Sequence, residues 1–239
     1  MSLENQKCIK IFEHEAIHVV EYPIHFAGCD FSARMTIIRL ADGSLWLHSP
    51  CQIDEHLKAE IAALGPVRHI IGPGNFHWLH LDKAQECFPD AEVYICPGIE
   101  QKAPMLEFDW FLGDCPPDVW EGEFDQVLIR GTRFIWEVAF FHRSSKTLIL
   151  TDLVENIGDS TPGVNFLIKF WWKAVFRMWN TPKPAPEYQL GWKHKQAVRA
   201  SLEKILAWDF DKVILSHGDL ITNNAKDVVR KAWHKPLSA

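Results

Sequence analysis

The chain has 239 residues, 47% hydrophobic and 23% charged, with a formal charge of −6, which is enough chain to bury a real core without staples. That balance leaves no electrostatic footprint for nucleic acid, and no run reaches the roughly 20 uncharged apolar residues of a membrane span. The charge is uneven, because residues 191–239 carry nine Lys or Arg against five Asp or Glu. This reads as solvated surface. Six cysteines, at 8, 29, 51, 87, 96 and 115, are scattered without a Cys-x-x-Cys pair, which predicts free thiols in a reducing compartment. The polar opening Met-Ser-Leu-Glu-Asn-Gln-Lys is unlike a secretory leader. A soluble, cytoplasmic protein is the expectation.

Residues 17–22 and 33–40 alternate apolar and polar side chains and predict strands. Ala41-Asp42-Gly43-Ser44 predicts a hairpin turn into a further strand at 45–48. Leu57, Ile61 and Leu64 define one face of a helix over 54–64, stopped by Gly65-Pro66. The apolar run 67–71 predicts a buried strand, followed by Gly72-Pro-Gly-Asn-Phe-His-Trp-Leu-His80 and a helix from Trp78 to Phe88. The next strand is expected at 92–96. Strand, helix, strand with short links implies parallel pairing in an α/β layer. Residues 100–123 predict a loop with short helical pieces. From 127 the pattern turns strand-rich again, at 127–130, 133–142 and, after Ser144-Ser145-Lys146, 147–151. Strands, α/β, strands and α/β in succession suggest two sheets packed face to face with helices outside.

From Val164 to Trp179 the only polar residues are Asn165, Lys169, Lys173 and Arg177, four apart. A helix over 164–179 is predicted, about 24 Å long, with one narrow cationic stripe. It is expected to cover the site or to form a homodimer contact, in preference to lying on a membrane surface. Thr181-Pro-Lys-Pro-Ala-Pro186 predicts a stiff connector. Residues 190–208 predict an amphipathic helix, 212–216 a last buried strand, and 225–234 a surface helix.

Four potential metal ligands share one placement, directly after an apolar strand: His77, His80, Asp152 and His217. Ligands collect outside the carboxyl ends of strands in layered α/β folds. Imidazole and carboxylate are ligands for zinc, and for iron or manganese in oxygen-richer sites. Glu137 is a carboxylate in an otherwise apolar strand and needs a metal or a cation to offset its burial. His77 and His80 read equally well as a helix-start and a core histidine, Asp152 as a turn residue or cap, and Asn75 as a helix cap. There is no Walker loop, G-x-G-x-x-G or nucleophile elbow.

The residues and their order resemble the metallo-β-lactamase-fold superfamily. Its first signature, His-x-His-x-Asp-His, lies in a strand-to-helix loop and is followed by a lone His, an Asp closing a hairpin strand and a late His-Gly. Within it, Trp136-Glu-Val-Ala-Phe-Phe-His142 with Thr147-Leu-Ile-Leu-Thr-Asp152 looks like a divergent branch labelled only as a domain of unknown function. The resemblance implies an αββα sandwich of two mixed sheets in a single domain, with a lid or interface segment at 155–190. It implies a divalent metal, zinc foremost with iron or manganese as alternatives, held by His77, His80, Asp152, His217 and Glu137. Asp152 and His80 would be the catalytic residues, and His48 and Asn75 would stand behind the ligands. Asn75 occupies the place of the first His and Leu79 that of the Asp, which removes a proton-transfer group. The implied activity is metal-assisted hydrolysis of a small ester, lactone, amide or phosphoester. The rivals are an iron-dependent oxygenase or oxidoreductase and a degenerate scaffold acting as an interaction protein.

Overall fold

The computed structural model describes residues 9–10 and 16–238. Two compact units make up the chain, one of residues 1–22 and 34–112, the other of residues 23–33 and 113–239. Cys8 and the polar opening lie outside the described residues; Cys29, Cys51, Cys87, Cys96 and Cys115 are free thiols. No described helix is long and apolar enough to cross a membrane.

The first unit is built on a seven-stranded sheet in sequence order: β1 (Ile9–Lys10), β2 (Ile17–Phe26), β3 (Cys29–Arg39), β4 (Leu45–His48), β5 (Val67–Gly72), β6 (Glu92–Ile95) and β7 (Trp110–Phe111). The β3–β4 turn is the expected one, since Asp42 Oδ1 accepts from the Ser44 N–H at 2.8 Å and its hydroxyl at 2.7 Å. From β4 onward the pairing is parallel, with α1 (Glu55–Leu64), α2 (Leu81–Cys87) and α3 (Ile99–Lys102) as crossovers. β4 is buried at every position, which is why it reads as a continuous apolar run rather than an alternating one. Asp54 caps α1 by accepting from the Leu57 N–H at 2.8 Å. The α2 helix begins at Leu81, not Trp78, because the main chain first closes two turns, His77 N–H to Gly74 C=O and Leu81 N–H to Trp78 C=O.

The β2–β3 hairpin is longer than the sequence suggests. Ala27 and Gly28 both take left-handed conformations (φ 49° and 81°), a two-residue turn that matches strand twist, so both strands run on to it.

In the second unit the sheet order is β11-β10-β9-β8, from β8 (Phe124–Leu128), β9 (Val138–His142), β10 (Thr147–Leu150) and β11 (Lys212–Leu215). β8, β9 and β10 are antiparallel neighbours and β11 joins β10 in parallel. Residues 133–136 are not strand, because the Gly131 carbonyl and the Arg133 N–H bond to the main chain of residues 191–194 instead. That same contact breaks the helix expected at 190–208 into α5 (Pro186–Gly191) and α6 (Lys195–Ala207). The helix expected at 164–179 is shorter, with α4 (Phe166–Phe170) passing into a π-type turn over Trp171–Val175. It ends where Arg177 turns left-handed (φ 52°) and the N–H groups of Met178 and Trp179 converge on the Trp172 carbonyl. The C-terminal helix continues as α7 (Ala225–Ala232) and α8 (His234–Leu237).

Candidate metal centre

Asp152 follows β10 and His217 follows β11, and because these strands pair in parallel with Leu150 opposite Leu215, both side chains leave the sheet at the same end. His217 Nε2 lies 3.4 Å from Asp152 Oδ1, with both side chains under a tenth exposed. The other ring nitrogen, Nδ1, sits 2.9 Å from the Ser32 carbonyl oxygen. That oxygen can only accept, so Nδ1 donates to it and Nε2 is the ring nitrogen turned toward the carboxylate. At 3.4 Å the contact is too long for a strong charge-assisted hydrogen bond. It matches the spacing of two ligands on a tetrahedral ion with bonds of ~2.1 Å, which is about 3.4 Å. The donor set therefore fits a cation between the two groups.

The turn that carries Asp152 is held by Glu137. Its buried carboxylate accepts from the N–H groups of Thr151 (2.6 Å), Asp152 (3.0 Å) and Leu153 (2.9 Å) and from the Tyr188 hydroxyl (3.3 Å). Sequence reasoning supplied a metal or cation as its partner. The structure supplies main-chain donors, a convergence that stabilises a buried carboxylate. Glu137 thus fixes where Asp152 points. Gly218 has a comparable task, since a Cβ there (φ 84°) would collide with the main chain of Asn156. Its freedom serves a close main-chain approach, in which Asn156 N–H donates to the His217 carbonyl and Asp219 N–H to the Asn156 carbonyl. Gly218 thereby ties the loop after β10 to the loop after β11. Glu155, one turn beyond Asp152, is buried, and its carboxyl is held well above the usual carboxylate range by that burial and then by Asp152.

The remaining candidates stand on the first unit. His77 is half-buried, with Nδ1 2.7 Å from the Ser49 hydroxyl, and Ser49 is itself buried in a left-handed conformation (φ 53°) just after β4. His48 is buried and stacked on Trp46 at 5.3 Å; burial, then the neighbouring His77, pushes its pKa down to about 3. His80 stands at the start of α2 with its ring edge-on to Tyr22 at 6.1 Å, and burial lowers its pKa. Asn75 does not cap α2. It is buried, and its carbonyl accepts from Lys102 Nζ at 2.7 Å while that ammonium lies 3.7 Å above the Phe76 ring. Leu79, in the place of the superfamily's Asp, is 64% exposed. Sequence reasoning missed Ser32, Ser49 and Glu155. Only Ser49 carried a signal, as the polar residue closing the buried run before Pro50.

A comparison with curated proteins returns no match. Among solved structures the chain is similar to a metallo-β-lactamase from Pontibacter korlensis, at 10% identity and a TM-score of 0.65 over 96% of this chain and 99% of that one. It is similar to the metallo-β-lactamase FIM-1 from Pseudomonas aeruginosa in its mono-zinc form, at 9% identity and TM-score 0.61, covering 98% and 97% of the two chains. It is also similar to the metal-soaked Flv1 flavodiiron core from Synechocystis sp. PCC6803, at 13% identity and TM-score 0.60 over 98% of this chain and 61% of that one. Likeness at such identities shows the fold, an αββα sandwich of the metallo-β-lactamase type. The family model described as "Domain of unknown function (DUF4336)" matches residues 15–187, a span that holds His77, His80, Glu137 and Asp152 and ends before His217. The chain belongs to that family.

Proposed function

We propose that this protein is a metal-dependent hydrolase-like enzyme in which Asp152 and His217 hold one divalent ion, zinc foremost, with His77 of the first unit a further candidate ligand. The observation that carries the reading is the 3.4 Å spacing of His217 Nε2 and Asp152 Oδ1, both buried, with Nδ1 committed to the Ser32 carbonyl. Carboxylate and imidazole together are a donor class suited to zinc and also to iron. When bound, the ion supplies Lewis acidity toward water and toward the oxygen of a small ester, lactone, amide or phosphoester.

The chain's own residues do the positioning. Ser32 holds the His217 tautomer, Ser49 steadies His77, and Glu137 clamps the Asp152 turn, the kind of outer support that orients metal ligands. His80 is assigned to the start of α2 and Glu137 to this clamp rather than to the ligand shell. Leu79, pointing to solvent where the superfamily signature has Asp, leaves the first unit without a carboxylate ligand there, which favours one ion over two. Glu155, whose carboxyl burial and then Asp152 hold well above the usual carboxylate range, is the group suited to keep a proton near the site.

The test is elemental analysis of the protein purified without chelator or added metal, alongside Asp152→Ala and His217→Ala. About one equivalent of zinc in the wild type, lost in both variants, supports the assignment. Full occupancy in either variant would sink it, and iron in place of zinc would redirect the activity to oxygen chemistry.

A further inference from the structure

Residues 160–186 contain no Asp or Glu, in a chain of net charge −6. Within that stretch, α4 and the turn after it present two kinds of side chain outward. Ile168, Trp172 and Met178 face in and pack with Cys29, Phe31 and Ile157. Phe166 (82% exposed), Phe170 (48%), Trp171 (39%) and Val175 (47%) face out. Lys169, Lys173 and Arg177 are exposed as well. Asp159 is the nearby acid. It bonds to the Trp179 indole N–H at 3.0 Å and to Asn180, and it attracts Lys169 and Lys173. Both lysines also lie over the Trp179 ring, at 5.9 and 4.9 Å. The segment is anchored at its start: Asn165 caps α4 through the Ile168 N–H and donates to the Gly28 carbonyl and to Asp30.

We propose that the outer face of residues 166–177 docks on an anionic lipid bilayer, with Phe166, Phe170 and Trp171 entering the interface and Lys169, Lys173 and Arg177 meeting the headgroups. Exposed aromatic side chains together with basic ones are what helices lying in the membrane plane carry, and the acid-free stretch complements a negative surface. A second copy of the chain fits worse. A two-fold contact sets a patch against itself and would bring the three cations together, at a cost. The contact rests on surface side chains and is independent of the metal reading.

The full-length protein is sedimented with phosphatidylcholine vesicles with and without phosphatidylglycerol, at low and high salt. Lys169→Glu/Lys173→Glu and Phe166→Ser/Phe170→Ser are run beside the wild type, with thermal unfolding to confirm that each folds. The wild type should bind only the phosphatidylglycerol vesicles and weaken as salt rises. Each cation contributes about fivefold in partitioning, so the charge-reversed variant should fall by about 25-fold or more. The Ser variant should lose binding as well. No binding to phosphatidylglycerol vesicles, equal binding to neutral vesicles, or binding unchanged in both variants overturns the proposal. A dimer of the wild type that Phe166→Ser/Phe170→Ser dissolves, with vesicles unbound, assigns the face to a second copy instead.

Discussion

Single side chains in this protein are assigned by what faces them. Glu137 looks like a ligand in the sequence because a lone carboxylate in an apolar strand needs a counter-charge. Three N–H groups of the Asp152 turn meet it instead. Glu137→Gln keeps the shape but turns an amide NH₂ toward those donors. It should cost about 2–4 kcal/mol, the range for leaving buried polar partners mismatched, measured by denaturant unfolding. If the proposed centre is right, the variant also binds metal more weakly, because Asp152 loses its fixed direction. Gly218→Ala puts a Cβ into the Asn156 main chain at a left-handed position, and a loss of about 2–4 kcal/mol is expected. A wild-type-like melting temperature in that variant would contradict the close approach described here.

At the scale of elements, the deviations from sequence expectation share one cause, the competition of main-chain partners. Residues 133–136 forgo strand pairing because Gly131 and Arg133 bond to residues 191–194, and the long helix expected at 190–208 divides for the same reason. Periodicity reports which side chains face inward and is silent about which carbonyl meets which N–H. The segment after Asn165 is short and irregular, so its order depends on its cap and its core contacts more than on helix propensity. Asn165→Ala removes the cap and both ties to the β2–β3 turn. Loss of a cap costs about 1 kcal/mol, and here it should appear as faster hydrogen exchange over residues 166–175 with little change in β10 and β11. Unchanged exchange there would mean that the Ile168–Trp172 packing alone holds the segment.

For the whole molecule, two buried groups set opposite pH slopes. His48 ionises near 6.5 in the unfolded chain and at about 3 in the fold, burial being the main cause. Between those values the unfolded state holds the extra proton, so stability falls as pH drops from about 6.5 toward about 3, by up to ~1.4 kcal/mol per pH unit. Glu155 works in the other sense. Burial, and then Asp152, raise its folded pKa well above 4.5, so the folded state holds the extra proton and stability declines as pH rises above 4.5. Denaturant unfolding of the chelator-treated protein across this range should show that Glu155→Gln gains on the wild type steadily as pH rises. A constant difference between the two would place Glu155 in a solvated setting.

The amino-acid sequence by itself determined the layer order. Apolar runs closed by Gly, Pro and Asp mark β4, β5, β10 and β11, and the residues that follow them, His77, His80, Asp152 and His217, stand where α/β folds gather ligands. These features are local, written in patterning over a few residues. The tertiary structure decided what such patterning cannot carry: that Ser32, 185 residues before His217, fixes its tautomer, that Glu137 is met by main chain, and that Gly218 exists for Asn156. Those pairings join segments distant in sequence through backbone groups common to every residue, and so they leave no mark in residue type.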